Sequence, residues 1–225
     1  MGYFDWNSYF PLRLGSDPEP SATLWLAQVG DLQRLVLERF VHHRFDEVHG
    51  ARISSFMPDL FGLYDSRQQL NAACGARLAV EQPLFLEQYL DAPVEQTIAR
   101  LAERPVARAD IVEVGNLASV SAGSARMIIV IMTCLLARRG LQWVVFTGAA
   151  SLINSFHRLG LEPLRLCSAD PAVLGEQRHD WGQYYEQRPQ VFAGSIQLGY
   201  RQLCERGIPQ RLGLHSACAE APHAA

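Results

Sequence analysis

Lysine is absent from this 225-residue chain, because all twenty basic residues are arginines, and these are spread along the sequence. The net charge is −3, and no segment concentrates the positive charge that a nucleic-acid-binding face normally needs. We therefore expect no nucleic-acid partner. A long apolar run is also lacking: the most apolar stretch, residues 127–136, spans about half of the roughly 20 residues that cross a bilayer. We interpret it as a buried core helix and expect no transmembrane segment.

Cysteine pairs that would form a redox or metal motif are also missing. The five cysteines are odd in number, contain no C-x-x-C pair and lie mostly in apolar stretches, a pattern typical of reduced, buried thiols. The N-terminus has no positively charged region followed by an apolar stretch, so no secretory signal is predicted. We expect the protein to be cytoplasmic.

One short segment is rich in side chains that bind metals. His42, His43, Asp46 and Glu47 lie close together, and His43 and Glu47 share a helix face at four-residue spacing. A zinc site needs three or four committed ligands, and no complete set is spaced here. We favour a solvated polar helix end and predict no metal.

The composition indicates one globular unit. With 225 residues, 48% of them hydrophobic, the chain can bury a core without disulfides. We predict an N-terminal extension over residues 1–30, a single domain over residues 31–208 and a disordered tail over residues 209–225.

The first half of the domain is predicted to hold a helix, an antiparallel meander and a second helix. Asp31 is expected to cap a helix that runs through about Arg44. Five residues are spaced for one face that packs on a sheet, namely Leu32, Leu35, Val36, Arg39 and Phe40. Strands follow at residues 52–56 and 60–64, and a polar turn at 65–68 leads into a third strand. Pro93 suits the first turn of the second helix.

The second half alternates strands and helices. A strand over residues 110–115 leads through a small-residue loop into a long apolar helix, which begins at about Gly123 and ends before Gly140. Further strands are predicted at residues 142–147, 164–167 and 191–198, with a short helix stopped by Gly160 after the first of them. The strand at 142–147 is expected to run parallel to the one before the helix. The sequence therefore predicts an α/β fold with a mixed central sheet flanked by helices.

The loop before the long helix is the clearest chemical signal in the chain. A strand that feeds a helix through small residues leaves the first backbone N–H groups of the helix unpaired, and these groups bind anions such as phosphate. The candidate binding residues are Ser121, Ala122, Gly123, Ser124 and Ala125. The alternative is an ordinary helix start with Ser121 as its cap.

This order of elements and two motifs resemble the GNAT acyltransferase superfamily, including its acyl-homoserine-lactone synthase branch. In that family an R/Q-x-x-G-x-G/A loop holds the pyrophosphate of the acyl carrier; here VSAGSA at residues 120–125 matches at Gly123 and Ala125 but has Val120 in the Arg/Gln place. FHRLGL at residues 156–161 is similar to the family's Y-E-K-L-G-F. The tyrosine that often protonates the leaving thiolate is replaced by Phe156, which has no hydroxyl to donate.

Several ungapped blocks between residues 39 and 200 also resemble the bacterial thermostable hemolysin family. They are ARISSFMP at residues 51–58, LFLEQYLD at 84–91, EVGNLA at 113–118 and WGQYY at 181–185. The family name describes a lytic phenotype and no mechanism. A pore former needs an insertable helix or long amphipathic strands that close into a barrel, and no stretch obviously offers either.

The GNAT resemblance implies roles for three further residues. Glu113, near the end of the strand before the loop, lies where such enzymes often keep a general base, although a solvent-facing strand residue is the alternative. Asn116 either orients a substrate or satisfies the end of the strand. Asn154 either reaches the pantetheine arm of the carrier or lies on a polar helix face. The aromatic residues Trp181, Tyr184 and Tyr185 either line an acyl channel or close the core.

The resemblance implies an N-acyltransferase that moves an acyl group from coenzyme A or an acyl carrier protein to a small-molecule amine acceptor. S-adenosylmethionine is a further possible ligand, as in the lactone synthases. Two alternatives stay open: a cytolysin that acts on membranes after release from the cell, and a catalytically degenerate protein that binds the acyl carrier without turnover. The sequence does not predict the oligomeric state.

Overall fold

A computed structural model describes residues 9–15 and 20–214 of the chain. Its strands are β1 (Leu12–Leu14), β2 (Ala22–Ala27), β3 (Asp59–Asp65), β4 (Leu70–Leu78), β5 (Ile111–Ser119), β6 (Trp143–Gly148), β7 (Leu164–Ser168) and β8 (Gln190–Ser195). Its α-helices are α1 (Arg34–His49), α2 (Val94–Ala102), α3 (Ala122–Arg138), α4 (Ala150–Leu159), α5 (Ile196–Glu205) and α6 (Ile208–Arg211). The strands form one sheet in the order β1-β2-β3-β4-β5-β6-β8-β7.

Helices cover both faces of this mixed sheet, which confirms the predicted α/β fold class. Val112 of β5 packs in the cluster around α3, whereas the neighbouring Ile111 packs with Val94 and Ile98 of α2. Because successive strand residues point to opposite faces, α3 and α2 lie on opposite sides. Among the strand pairs of the described residues, only β5 and β6 run parallel, as the intervening helix predicts.

The predicted antiparallel meander forms, but the strand that precedes β3 in the sheet is β2 and not the predicted strand at residues 52–56. Asp65 closes the turn between β3 and β4, since its Oδ1 accepts from the N–H groups of Arg67 and Gln69 at 2.9 Å each. The strand predicted at residues 52–56 is wrong, because β2 and β4 already occupy both edges of β3. The segment instead lies against α1, where His42 Nδ1 lies 2.9 Å from the carbonyl oxygen of Ile53.

The first helix begins at Arg34, and Asp31 is not its cap. Asp31 Oδ2 accepts from the N–H of Gln28 at 2.7 Å and so closes the preceding turn. The predicted apolar face is also wrong: Leu32 is 90% exposed. Leu37 and Val41 are the fully buried residues of α1.

The long helix α3 begins as predicted. Ser121 is its N-cap: Ser121 Oγ accepts from the N–H of Ser124 at 3.1 Å, and Ser124 Oγ accepts in return from the N–H of Ser121 at 3.2 Å. This reciprocal pattern satisfies two backbone donors that the helix itself leaves unpaired. Residues 128–132 and 134–137 of α3 are buried, so it is the predicted core helix. No disulfide joins cysteines of the described ranges, and Cys218 lies outside them.

Strands β5 and β6 separate after a short common stretch. They pair from Ile111↔Trp143 to Glu113↔Val145, although β5 continues to Ser119 and β6 to Gly148. The β4–β5 register also shifts between Gly75 and Ala73. The separation opens the sheet at its centre, next to the loop that begins α3.

Ordered structure extends beyond both ends of the predicted domain. Within residues 1–30, β1 and β2 pair with each other, and β2 pairs with β3. Within residues 209–225, the first residues belong to α6 and Leu214 is 1% exposed. Residues 215–225 lie outside the described part of the chain, so the division into extension, domain and tail stays a prediction.

Candidate active site

A cavity of about 640 Å³ occupies the opening between β5 and β6. On the α2 side of the sheet it is bounded by aromatic side chains such as Phe85 and Trp181, and on the α3 side by apolar ones such as Ile129 and Met132. Glu113 and Asn116 of β5 lie on its wall, as do Ala122 and Ala125 of the loop. Four of the eight predicted site residues therefore line one space that joins the two faces of the sheet, whereas Ser121, Gly123, Ser124 and Asn154 are not among its lining residues.

Glu113 is buried, with only 3% of its surface exposed, so the alternative of a solvent-facing residue is excluded. Its Oε2 accepts from the N–H of Phe85 at 2.8 Å, and its Oε1 accepts from the N–H of Leu86 at 3.0 Å. Burial raises the pKa of this carboxyl above its usual range, against the opposing effect of these two bonds and of the Arg77 charge. A carboxylate with a raised pKa holds a proton more readily than an exposed one, which is a property that a general base needs.

The segment whose backbone N–H groups bind Glu113, residues 84–89, is itself fixed by an ionic cluster. The guanidinium of Arg108 contacts Glu87 at 2.6 and 2.7 Å and Glu95 at 2.9 Å. Glu87 also accepts from the N–H groups of Leu84 and Val94. The hydrogen bond from Arg108 lowers the pKa of Glu87 to about 2. The cluster thereby anchors the 3₁₀ helix Phe85–Tyr89 beside the cavity.

Replacement of Arg108 by glutamine is expected to lower the free energy of unfolding at pH 7 by about 2 kcal/mol, because it leaves the Glu87 carboxylate without its main partner. Glu87 has a lowered folded-state pKa, so the stability it contributes is present above about pH 4.5, its ordinary pKa, and is lost as pH falls toward 2. Urea denaturation across this range is the measurement. The variant should lose less stability on acidification than the wild type, and parallel losses would contradict this assignment.

Asn116 is held in a backbone conformation that few residues adopt, with φ at +50°. Its Oδ1 accepts from the N–H of Met57 at 2.8 Å, and its Nδ2 donates to the carbonyl of Ser55 at 3.2 Å. These bonds tie β5, where it separates from β6, to the segment before β3. The geometry supports the structural alternative for Asn116, while its place on the cavity wall keeps substrate contact a proposal.

Replacement of Asn116 by alanine is expected to destabilise the fold by about 2–4 kcal/mol, from two lost hydrogen bonds and from the left-handed conformation that alanine disfavours. Asn116→Gly is the matched control, because it loses the same bonds but accepts a positive φ. Thermal and urea denaturation of both variants separates the two causes. Equal stability of the alanine and glycine variants would show that the backbone conformation contributes nothing.

Three of the five backbone N–H groups in the candidate phosphate loop, residues 121–125, already donate hydrogen bonds to acceptors within the loop. The N–H groups of Ser121 and Ser124 bind the reciprocal side chains, and the N–H of Ala125 donates to the carbonyl of Ser121 at 3.0 Å. The amides of Ala122 and Gly123 belong to the first helical turn and have no acceptor within the loop. A Cβ added at Gly123 would meet only Ser121 Oγ, at 3.5 Å, so the space beside it is open. Two amides at the positive end of α3 are thus the part of the loop suited to an anion.

Helix α4 presents different residues to the cavity than the sequence suggests. Phe156 lines the cavity and stacks on Phe146, with ring centroids 4.8 Å apart. Asn154 is exposed and is not among the lining residues, whereas Ser151 and Ser155 are. This placement gives no support to the pantetheine contact predicted for Asn154.

The aromatic residues of the WGQYY block line the cavity. Trp181, Tyr184 and Tyr185 contact one another, and Tyr185 Oη lies 2.5 Å from Tyr89 Oη. Burial raises the pKa of Tyr89 to about 12, so it stays protonated at neutral pH. Tyr89 and Arg77 line the same cavity and were not predicted as site residues. Their positions in the cavity follow only from contacts between segments that are distant in the sequence.

The histidine-rich end of α1 is accounted for by local contacts. His43 Nε2 lies 3.3 Å from Glu47 Oε1, and Glu47 also pairs with Arg44. Within the described ranges, no group of three or more histidine, cysteine, aspartate or glutamate side chains is arranged to hold a metal ion. In the same part of the chain, no helix combines the length and the apolar character required to span a bilayer.

Comparison with known proteins gives one family and one fold. The family model described as thermostable hemolysin matches residues 27–200. No curated protein matches the chain. FeeM, an N-acyl amino acid synthase from uncultured soil microbes, has a similar structure, with a TM-score of 0.58 and 13% identity over 85% of this chain and 99% of FeeM.

Two lactone synthases share the same fold. The acyl-homoserine-lactone synthase LasI has a TM-score of 0.53 and 11% identity, over 78% of this chain and 90% of LasI. The CoA-dependent synthase BjaI, solved with S-adenosylmethionine and isopentyl-CoA, has a TM-score of 0.51 and 12% identity, over 84% of this chain and 90% of BjaI. These likenesses confirm the GNAT-like fold predicted from the order of elements.

Proposed function

The chain belongs to the thermostable hemolysin family, and we propose that it transfers an acyl group from acyl-CoA or acyl carrier protein to a small amine acceptor. The observation that supports this proposal is the opening between β5 and β6, where the buried carboxylate of Glu113 and Ala122, at the N-terminus of α3, line one cavity. An acyl transferase needs both: an anion site for the carrier phosphates and a base for the acceptor.

The carrier is assigned to the α3 side of the cavity. The open amides of Ala122 and Gly123 would bind carrier phosphate, supported by the dipole of a 17-residue helix. The acyl chain would lie along the apolar wall formed by Ile129, Met132 and Leu136. Such a wall suits a hydrocarbon chain, because burial of each methylene is favourable by about 0.8 kcal/mol.

The acceptor amine is assigned to the other side, at Glu113. The ammonium gives one proton to the Glu113 carboxylate, and the free amine forms a bond to the thioester carbonyl carbon. The C–S bond then breaks, the thiolate leaves with the electron pair and takes up a proton, and the nitrogen gives its second proton to water as the amide forms. Glu113 returns its proton to water. Phe156 has no proton to give the thiolate, so water or another hydroxyl supplies it.

A second candidate is a protein that binds the acyl carrier without turnover. The observation that favours it is the Phe156–Phe146 stack, which places an apolar ring where a proton donor is expected.

For the proposed acyl transfer, S-adenosylmethionine remains a candidate acceptor, because it carries an α-amino group.

An assay of thiol release tests the proposal. Purified protein is incubated with acyl-CoA of 4 to 16 carbons and a panel of amines that includes S-adenosylmethionine, and products are identified by mass spectrometry. Amine-dependent release of coenzyme A with an equal amount of N-acyl product supports transfer. Saturable acyl-CoA binding without release supports the second candidate, and the absence of both contradicts the proposal.

A further inference from the structure

The cavity extends from the opening at Glu113 to the face of the sheet on which α3 lies. Glu113 pairs with Val145 of β6, and Val145 pairs with Ala193 of β8. One position earlier in β6, Val144 pairs with Gly194 and points to the opposite face, where it packs in the cluster around α3. Both Val144 and Gly194 line the cavity. A chain that begins at the opening therefore reaches this part of the cavity by turning toward α3.

Open space faces this part of the sheet. Strands β6 and β8 have neighbours on both sides, and yet Val144 and Gly194 are only partly buried, as is Thr133 of α3. Val145 and Ala193, on the other face of the same strands, are fully buried. We call the space on the α3 side the α3–α5 lobe. Six residues of the cavity wall bound it, namely Thr133, Leu136, Val144, Leu161, Gly194 and Gly199.

Gly199 forms the wall of the lobe where α5 approaches α3. A Cβ added at Gly199 would lie 3.3 Å from Leu161 Cδ2 and 3.7 Å from Thr133 Cγ2. The hydroxyl of Thr133 donates to the carbonyl of Ile129 at 2.8 Å, which leaves its methyl group on the side of Gly199. A side chain at position 199 would therefore occupy apolar space between Thr133 and Leu161.

We infer that the transferred acyl group is a long hydrocarbon chain whose outer carbons fill the α3–α5 lobe, and that Gly199 determines the chain length that fits. This inference rests on the acyl transfer proposed above and specifies its donor. The thioester carbonyl lies at the opening beside Glu113, and a four-carbon chain extends only about 4 Å from it, because a C–C bond is about 1.5 Å long. A short chain leaves the lobe empty, whereas a chain of 12 carbons buries apolar surface there.

A series of acyl chains tests the inference on the wild-type protein. Coenzyme A thioesters of 4, 8 and 12 carbons are titrated calorimetrically, with no amine present. We expect dodecanoyl-CoA to bind at least about 100-fold more tightly than butyryl-CoA, because each buried methylene raises the affinity about 4-fold. Equal affinities would overturn the inference and leave the proposed transfer standing. Absence of binding by every thioester would instead contradict the proposed function, and this inference with it.

The Gly199→Leu variant tests the assigned residue. It should weaken dodecanoyl-CoA binding about 10- to 100-fold, because it overpacks the lobe, and leave the affinity for butyryl-CoA unchanged. Leucine also has a higher helix propensity than glycine, which favours α5. Arg201→Leu, the matched control, adds the same side chain at an exposed position of α5 and should change neither affinity. Equal weakening for both thioesters, or no change for either, would overturn the assignment of Gly199.

The Val144→Phe variant fills the lobe from the sheet side and tests the inference without a change in α5. Phenylalanine is favoured in strands, and its ring would occupy the space that Val144 leaves open. This variant should also weaken dodecanoyl-CoA binding about 10-fold or more and spare butyryl-CoA. Thermal melts identify the variants that are folded at the temperature of titration. A folded Val144→Phe protein with the wild-type preference for dodecanoyl-CoA would show that the chain lies elsewhere and would overturn the inference.

Discussion

Replacing Glu113 by glutamine is expected to lower kcat about 100- to 10,000-fold, the range for loss of the proposed general base, while the affinity for acyl-CoA should stay unchanged. The amide is nearly the same size as the carboxylate but takes up no proton from an ammonium. Acyl-CoA binding is assigned to the opposite side of the sheet opening and so does not depend on the charge of Glu113. Steady-state turnover and calorimetric titration with acyl-CoA measure the two quantities separately.

The pH dependence gives this prediction a second, independent readout. Only the ionised carboxylate accepts a proton, so the proposed activity should rise as pH increases through the pKa of Glu113. Burial raises that pKa, and the acid limb of kcat/KM should therefore lie above the ordinary glutamate range. The limb should vanish in Glu113→Gln. If the Glu113→Gln variant kept both its turnover and the acid limb of its pH profile, Glu113 would be removed from the mechanism.

The same substitution has a structural cost that must be measured. Both Glu113 oxygens accept backbone N–H groups, and glutamine offers one acceptor and one donor in their place. One of the amides of Phe85 and Leu86 is then unsatisfied. A thermal melt of the variant identifies this loss, and turnover is compared at a temperature where both proteins are folded.

The Gly123→Glu variant is expected to weaken acyl-CoA binding by about 100-fold or more, because it places a carboxylate where carrier phosphate would bind. The helix itself tolerates the change: an acidic residue in the first turn is favourable, and the space beside Gly123 is open. Loss of binding is therefore not explained by unfolding. Isothermal titration with coenzyme A and a long-chain acyl-CoA measures the effect.

Gly123→Gln is the control for this prediction, since its side chain has the same size without the charge. It should weaken binding far less than Gly123→Glu if the site holds phosphate. Equal weakening in both variants would indicate that bulk alone blocks the site. Unchanged binding in Gly123→Glu would place the carrier elsewhere.

The central part of the fold could be predicted because its signals are local. The cap at Ser121, the apolar run of α3 and the glycines that follow α3 and α4 each identify a boundary within a few residues of sequence. A helix between two strands also fixes their parallel pairing. These features define the loop and the strand that bears Glu113, and so the core of the candidate site was accessible from sequence.

The features that the sequence did not predict depend on contacts between distant segments. Which face of α1 is buried depends on how α1 packs against β3, β4 and β5. The spacing pattern alone predicted that Leu32 lies on the buried face, whereas Leu37 is the residue that is buried. The position of Arg77 depends on the β4–β5 register, which pairs it with Glu113 across 36 residues of chain. The exposure of Asn154 likewise depends on the rotation of α4 about its axis, and a one-residue difference brings Ser155 to the cavity instead.

Calorimetric titration of the purified protein with a long-chain acyl-CoA, beside free coenzyme A and S-adenosylmethionine, tests the central claim most directly. The claim is that the opening between β5 and β6 holds an acyl carrier at the N-terminus of α3. Saturable one-to-one binding of acyl-CoA, competed by coenzyme A, is the predicted result. Absence of saturable binding by acyl-CoA and coenzyme A would contradict the claim.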